Sequence, residues 1–258
     1  MKKTVYDELL RLHRLFDIHN DFNGINSIKT VNNNAGVSPV KTDGDIIALL
    51  LYAANAYRIT DGTVNVMLGP VIKKINEGFP HEELIMYSQY ADIDGLIIDE
   101  EAGTVYLTHS EMSLDVGAVA KGYSLDRAAA VLLENDVTAF LINAGGDAIM
   151  YGKEWIVGIK NPFEPENDSV MSETIRINKG AFATSGDYYR GGHIIDPETL
   201  SPPARYCSVT VMHDSAAAAD ILSTAIFILP LEKGRELAYA NNASVVWIFF
   251  DGTIEKNY

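Results

Sequence analysis

The sequence predicts an α+β fold, a single large domain over residues 1–258 with mixed, mostly antiparallel sheets flanked by helices. Two observations carry this expectation. Stretches with apolar residues at helical spacing are interspersed with short β-rich runs, without the regular strand–helix–strand rhythm of a parallel sheet. No repeat, low-complexity tract or clear linker divides the 258 residues, a length that suits one large domain or two small ones. The absence of Gly-x-Gly-x-x-Gly after a first strand counts against a Rossmann dinucleotide fold.

Residues 5–16 read as a helix, because Val5, Leu9, Leu12 and Phe16 fall on one side. Residues 20–36, rich in Asn, read as a loop. A second helix is expected over 45–58, apolar enough to be largely buried. Thr60-Asp-Gly62 signals a turn, 64–70 leads on from it, and 76–92 has mixed polarity and no clear pattern. Residues 104–109 alternate as a strand should. After Lys121, Leu125, Ala128, Ala129, Leu132 and Leu133 recur at helical spacing. Strands then dominate at 138–142, 155–160, 174–178, 208–212 and 244–250, with a helix from 216 to about 229. Asp251-Gly252 closes a hairpin with Thr253-Ile254.

Composition excludes several classes. A hydrophobic content of 47% is ordinary for a globular chain and enough for a sizeable core. A net charge of -15 argues against general nucleic-acid binding, which needs a basic face, and against adhesion to anionic lipid. Cys207 is the sole cysteine, so no internal disulfide or multi-cysteine metal site can form. Its strand-like neighbours point to a buried bystander thiol. No stretch reaches the roughly 18 apolar residues of a membrane span. The start, Met-Lys-Lys-Thr-Val-Tyr-Asp, has charge but no apolar run behind it, so it does not read as a signal peptide.

The chemistry concentrates in four segments. In Asp115-Val-Gly-Ala-Val-Ala-Lys-Gly-Tyr123 a strand-like run ends at a carboxylate, passes through small residues and delivers Lys121 at a helix start. Small residues let backbone approach a ligand, and a helix start offers free N–H groups to phosphate. Taken alone, an ordinary strand–helix connection with a solvated lysine is the better reading. Asn143-Ala-Gly-Gly-Asp147 and Ala183-Thr-Ser-Gly-Asp187 are, in isolation, ordinary turns; the latter is followed by His193-Ile-Ile-Asp-Pro197. In Ala219-Asp-Ile-Leu-Ser-Thr224, Asp220 and Thr224 lie four apart and share a helix face, where they could offer two oxygens to a hard cation. Spacing alone favours a capping or solvated Asp220 with a packed Thr224. A histidine has an unperturbed pKa of about 6.5, so His193 is a candidate to accept a proton near neutrality, although most single histidines are structural.

In order and interval, these four segments resemble the ApbE family, flavin transferases that use FAD to attach FMN to other proteins. The resemblance runs from about Leu15 to the C-terminus, and the combination is far more specific than any one motif. It implies an ApbE-like, T-fold-related domain. It implies Mg²⁺ bound by Asp220, Thr224 and the backbone carbonyl of Ala118, a sparse shell that suits an ion keeping water and phosphate oxygens. An acidic protein handling an anionic dinucleotide needs such relief. Asp115 and Lys121 fall at flavin-contact positions, Lys121 to neutralise pyrophosphate charge and Asp115 to accept hydrogen bonds. Met67-Leu68-Gly69 stand where the family has a Thr-Val-Gly-like stretch, and backbone contact survives the change to Met67. His19 falls where relatives often place a tyrosine against the flavin, and a solvated loop histidine is equally consistent. Ile195 would meet the cofactor by backbone or packing. Thr184, Asp187 and Ser223 would add polar contacts, and His193 would be the general base.

Between the Gly-Asp-Tyr element and the His-Ile-Ile-Asp-Pro element this chain has only Tyr189-Arg-Gly-Gly192, where relatives usually have a longer hairpin. That shortening bears on docking of a protein acceptor more than on FAD. The implied reaction is Mg²⁺-dependent transfer of FMN from FAD to a threonine hydroxyl, releasing AMP, with subunits of flavin-bearing redox complexes as acceptors. Hydrolysis of FAD to FMN and AMP, or FAD binding without turnover, are the alternatives. Many relatives are exported, often as lipoproteins; in that case the export signal and an initial strand lie outside this sequence, which leaves the compartment open.

Overall fold

In a computed structural model, which describes residues 2–167, 169–187 and 191–258, the chain forms two compact units. The N-terminal unit is Lys2–Ala120 with Pro197–Ser201; the C-terminal unit is Lys121–Asp196 with Pro202–Tyr258. The α+β class holds, with antiparallel sheets and helices. The expectation of mixed sheets narrows, because every strand pairing among the described residues is antiparallel.

The N-terminal unit opens with α1 (Lys2–Phe16), whose Leu12, Leu15 and Phe16 are buried. The Asn-rich stretch 20–36 is not all loop. It contains α2 (Ile28–Asn33), which buries Ile28 and Val31 and starts where the Thr30 hydroxyl accepts the Ser27 N–H at 3.1 Å. Two buried apolar residues are too few to stand out against six asparagines. Next come β1 (Val40–Lys41) and α3 (Gly44–Ile59), which Asp43 caps by accepting the Asp45 N–H. Helix α3 ends as Thr60-Asp-Gly62 predicts, with Gly62 at φ 78° and its N–H on the Tyr57 carbonyl. A 3₁₀ turn (Val66–Leu68) runs into α4 (Gly69–Asn76), followed by α5 (His81–Ser88) inside the stretch that gave no clear pattern. Strands β2 (Leu96–Asp99) and β3 (Thr104–Leu107) complete a sheet of order β1-β3-β2.

The C-terminal unit is built on a six-stranded sheet. Its chain order is α6 (Ala120–Glu134), β4 (Phe140–Asn143), β5 (Ala148–Tyr151), β6 (Trp155–Lys160), β7 (Met171–Ile177), β8 (Gly180–Gly186), β9 (Ser208–His213), α7 (Ala216–Ile228), α8 (Leu231–Ala240), β10 (Ser244–Ile248) and β11 (Ile254–Lys256). The sheet order is β11-β10-β9-β8-β5-β4, and β6 with β7 forms a separate hairpin. Helix α7 buries every residue but Ala218 and Thr224, as an apolar helix inside a core should. Its Ala219, Leu222, Ile226 and Phe227 pack with Val209, Val211, Val245 and Trp247 of the sheet. Burying several side chains of that size contributes about 1.5–3 kcal/mol each.

One reading is corrected here. Residues 183–187 are not a turn: through Gly186 they belong to β8, which pairs with β5 on one side and β9 on the other. Small residues look like turn formers in sequence, yet in β8 they let α7 lie close, with Ala183 and Ser185 buried beneath it. Helix α8 was likewise not foreseen, since Leu231, Leu237 and Ala238 give only a thin apolar stripe.

Candidate active site

In the N-terminal unit, the backbone before the Asp115 motif is laid down by an unlikely partner, Asn32 of α2. Its Nδ2 donates to the Leu114 carbonyl at 3.0 Å and its Oδ1 accepts the Leu114 N–H at 2.7 Å. The Asp115 N–H then donates to the Val66 carbonyl at 2.8 Å, and Asp115 Oδ1 accepts the Gly117 N–H at 2.9 Å. Gly69 is pressed on the same strip: a Cβ there would stand 2.4 Å from the Ser113 carbonyl oxygen. So Met67, Leu68 and Gly69 do lie beside the Asp115 segment. The side chains of Met67 and Leu68 are buried, which leaves any contact there to the backbone.

Asp115, Val116, Gly117 and Ala120 share a cleft of about 320 Å³ with His13, Phe16, Asp17, Ile18 and His19. His19 is exposed, and its position is set by Asp17. Asp17 Oδ1 accepts the N–H groups of His19 at 2.6 Å and Asn20 at 2.7 Å, while Oδ2 takes Asn20 Nδ2 at 2.9 Å. Burial pushes the Asp17 carboxyl up, but those hydrogen bonds outweigh it and hold the group below its ordinary value. Sequence reasoning passed over Asp17; an Asp two residues before a histidine and three before an asparagine is the available signal for such a turn.

The C-terminal unit holds the opposite arrangement. Two buried carboxyls, Asp147 and Asp220, interact there with a single ammonium, that of Lys121. Lys121 Nζ stands 2.8 Å from Asp147 Oδ2, and Asp147 Oδ1 accepts the Thr184 N–H at 3.3 Å. Asp220 accepts the Gly122 N–H at 2.8 Å. Burial, followed by the charge of Asp147, raises the Asp220 pKa to about 7, against the pull of Lys121. Burial likewise pushes Asp147 up, although Lys121 opposes it.

Local structure explains the convergence. Asp147 ends a turn that needs Gly145 and Gly146 at φ 70° and 101°, closed by the Gly145 N–H on Asn143 Oδ1. Helices α6 and α7 are in close contact at Gly122, where a Cβ would lie 2.4 Å from the Ala216 carbonyl oxygen. One turn along α6, Asp126 caps α7, accepting Ser215 Oγ–H at 2.7 Å and the N–H groups of Ala216 and Ala217 at 2.8 and 3.0 Å. Neither Asp126 nor Asp147 was named as a site residue from sequence. Hydroxyls complete the cluster: Ser185 Oγ is 2.9 Å from Ser223 Oγ and 3.5 Å from Thr224 Oγ1, and Thr184 Oγ1 is 2.9 Å from Thr210 Oγ1. Lys121, Thr184, Asp220, Ser223 and Thr224 are thus brought together, with Asp147 added.

His193 and Asp187 form a separate pair, His193 Nδ1 lying 3.7 Å from Asp187 Oδ1. Ile195 is buried behind them in sequence. Of the short stretch 189–192, residues 189 and 190 lie outside those described. Ala118 sits in the N-terminal unit, in the turn where Val119 and Ala120 donate to the Val116 carbonyl.

The donor set suits a hard divalent cation. Among the described residues, one ammonium serves two carboxyls, which leaves the pair short of positive charge. Among the described residues no three His, Cys, Asp or Glu side chains cluster, so a cation here would keep several non-protein ligands, as Mg²⁺ does.

Geometry of this kind defines an α+β protein with a buried pair of carboxyls beside a lysine. Residues 1–249 match the model of the ApbE family, and the chain belongs to that family. It is 32% identical over 258 residues to the FAD:protein FMN transferase of Klebsiella pneumoniae strain 342, covering 91% of this chain and 80% of that protein. It is 27% identical over 242 residues to the protein of the same name from Haemophilus influenzae, covering 84% and 70%. Among solved structures, the apbe protein of Thermotoga maritima superposes with a TM-score of 0.87 at 26% identity, over 99% of this chain and 88% of that one. A histidine-to-glycine mutant of the flavin transferase ApbE from Vibrio cholerae gives 0.82 at 26% identity, over 100% and 89%.

Proposed function

We propose that the protein is a flavin transferase that takes FAD as donor and, with Mg²⁺, moves FMN onto a threonine hydroxyl of an acceptor protein, releasing AMP. The observation that carries the magnesium part is the buried Asp147–Asp220 pair, which has one ammonium for two carboxyls. Asp220 and Thr224 would hold the ion. When bound, it neutralises negative charge on the pyrophosphate and on the oxygen that leaves with AMP.

The remaining work belongs to side chains. Lys121 offers its ammonium to phosphate oxygens, half-exposed beside Asp147. Asp115, His19 and the backbone of Met67, Leu68 and Gly69 bind the flavin end, with Thr184, Ser223 and Ile195 as further contacts. His193 takes the proton of the threonine hydroxyl as its oxygen bonds to the FMN phosphorus. The bond from that phosphorus to the bridging oxygen breaks, and AMP departs with the electron pair. Positioning and charge neutralisation supply the rate, as is general for phosphoryl transfer. Acceptors of this kind are subunits of flavin-bearing redox complexes.

The test is direct. The protein is incubated with FAD, Mg²⁺ and an acceptor carrying a target threonine, and the acceptor is weighed by mass spectrometry. An FMN-sized addition, abolished by chelator, is expected. No adduct together with no AMP would sink the proposal, and FMN with AMP in the absence of acceptor would replace transfer by hydrolysis.

A further inference from the structure

The pair formed by Asp187 and His193 has a more specific geometry than a cofactor contact requires. Asp187 follows directly on β8, so its backbone is anchored in the six-stranded sheet. The chain turns back onto it. The Gly191 N–H donates to the Asp187 carbonyl at 2.9 Å, and the Gly192 N–H donates to the Asp187 carboxylate. Gly191 and Gly192 both adopt left-handed backbone, φ 48° and 61°, which two glycines accept without the cost other residues bear. Gly192 also packs on Pro202, whose Cγ would lie 3.1 Å from an added Cβ. The glycine pair therefore returns the chain so that His193 meets the carboxylate six residues before it.

Among the described residues, Asp187 Oδ1 is buried without a hydrogen-bond partner, and it lies 3.7 Å from His193 Nδ1. A buried carboxylate oxygen without a partner is costly, and a ring N–H is the nearby group that can satisfy it. Burial pushes the Asp187 carboxyl up while His193 draws it back, as expected for a carboxylate facing a ring that can carry charge. Hydrogen bonds between catalytic groups are often long before substrate binds and tighten in the loaded complex.

We propose that Asp187 is a positioning residue for His193: its Oδ1 accepts the Nδ1–H, holding the ring in one tautomer with Nε2 as the nitrogen that takes the threonine proton. This rests on the reading of His193 as the base, and it gives Asp187 a role other than the cofactor contact its sequence position suggests. When the threonine proton arrives on Nε2, the ring becomes cationic and the adjacent carboxylate stabilises it. The proton then leaves to solvent as product departs.

The experiment reads the tautomer before it reads activity. In the full chain with ¹⁵N-labelled histidine, the His193 ring signals are assigned by their loss in His193→Gln. The neutral ring is expected to carry its proton on Nδ1 in the wild type, to lose that preference in Asp187→Ala, and to regain it in Asp187→Glu. If Asp187→Ala does not fold, the isosteric Asp187→Asn serves in its place. In the transfer assay the same variants should lose about 10²-fold in kcat with KM for FAD unchanged, and Asp187→Glu should recover part of it. An unchanged His193 tautomer in Asp187→Ala overturns the proposal. So does a raised KM for FAD with kcat intact, which would make Asp187 a cofactor contact. Should the wild type transfer no flavin at all, the functional reading falls while the tautomer still decides this one.

Discussion

Burial disfavours the charge of both Asp17, which is half-buried, and Asp220, which is buried, yet their surroundings drive the two carboxyls in opposite directions. Asp17, in the N-terminal unit, accepts three hydrogen bonds from His19 and Asn20 and is held below its ordinary value. Asp220, in the C-terminal unit, sits against Asp147 with a share of one lysine and is raised to about 7. A carboxylate whose hydrogen bonds are complete is a structural part; it shapes the turn that carries His19. A carboxyl that burial and a like charge keep from ionising is one that a bound cation would stabilise. Depth of burial and the supply of donors both separate them: Asp17 is half-buried with three donors, Asp220 is buried with one backbone N–H and a share of Lys121.

The largest expected effect comes from exchanging one of these groups for its amide. Asp220→Asn should lower transfer by about 10²–10³-fold, the scale seen when a group stabilising transition-state charge is removed. Its chelator-treated stability at pH 7.5 should equal or exceed that of the wild type, since a disfavoured buried charge is gone. Asp17→Asn should do the reverse, costing about 1–3 kcal/mol in urea denaturation through donors left unsatisfied, with the loss in transfer confined to FAD affinity. A loss of stability in Asp220→Asn and none in Asp17→Asn would invert the assignment.

Next in size is Gly122→Ala. Its Cβ would meet the Ala216 carbonyl at 2.4 Å and the Asp220 Cβ at 2.7 Å, both on helix α7. Backbone cannot yield as a side-chain tip can, so the variant should lose about 1–3 kcal/mol of stability and weaken the response of Tm to Mg²⁺. A variant as stable as wild type would show that α6 and α7 tolerate separation there.

The pH dependence has opposite signs in the two units. Asp220 is raised above its unfolded value, so the stability it allows is full below about pH 4 and is lost as pH climbs toward 7. Asp17 is depressed, so its contribution is present above its unfolded value and is lost as pH falls through the lowered one. In chelator, the difference in Tm between Asp220→Asn and wild type should therefore grow from pH 5 to pH 7.5, and Mg²⁺ should erase it. A difference that is flat with pH would show that Asp220 is ionised throughout.

What could be read from sequence follows the same division. Elements with long apolar periodicity, α3 and α7, stood out, and so did strands such as β6, because their own residues carry the pattern. Helix α2 and strand β8 did not, for their stability comes from partners: Ile28 and Val31 bury against the rest of the unit, and β8 is held between β5 and β9. At the site, Asp220, Thr224 and Lys121 were legible as members of motifs. The pairing of Lys121 with Asp147 was not, because it depends on a turn through Gly145 and Gly146. Asp126 was invisible for a similar reason, since a cap on a helix some ninety residues away leaves no local trace.

The smallest expected effect tests the proposal that the N-terminal unit meets the flavin through backbone. The Met67 side chain is fully buried, so the residue offers nothing to a ligand but its backbone. Met67→Leu conserves volume and should cost less than about 1.5 kcal/mol, with FAD affinity by fluorescence titration within about twofold of wild type. Gly69→Ala is the sharper partner. Its new methyl group would stand 2.4 Å from the Ser113 carbonyl, so the strip carrying Met67 and Leu68 must shift relative to the Asp115 segment. Affinity should fall for Gly69→Ala and hold for Met67→Leu, because one change moves backbone and the other does not. Equal losses in both would mean that the Met67 side chain matters to the ligand after all, and that the proposed contact is not made through backbone.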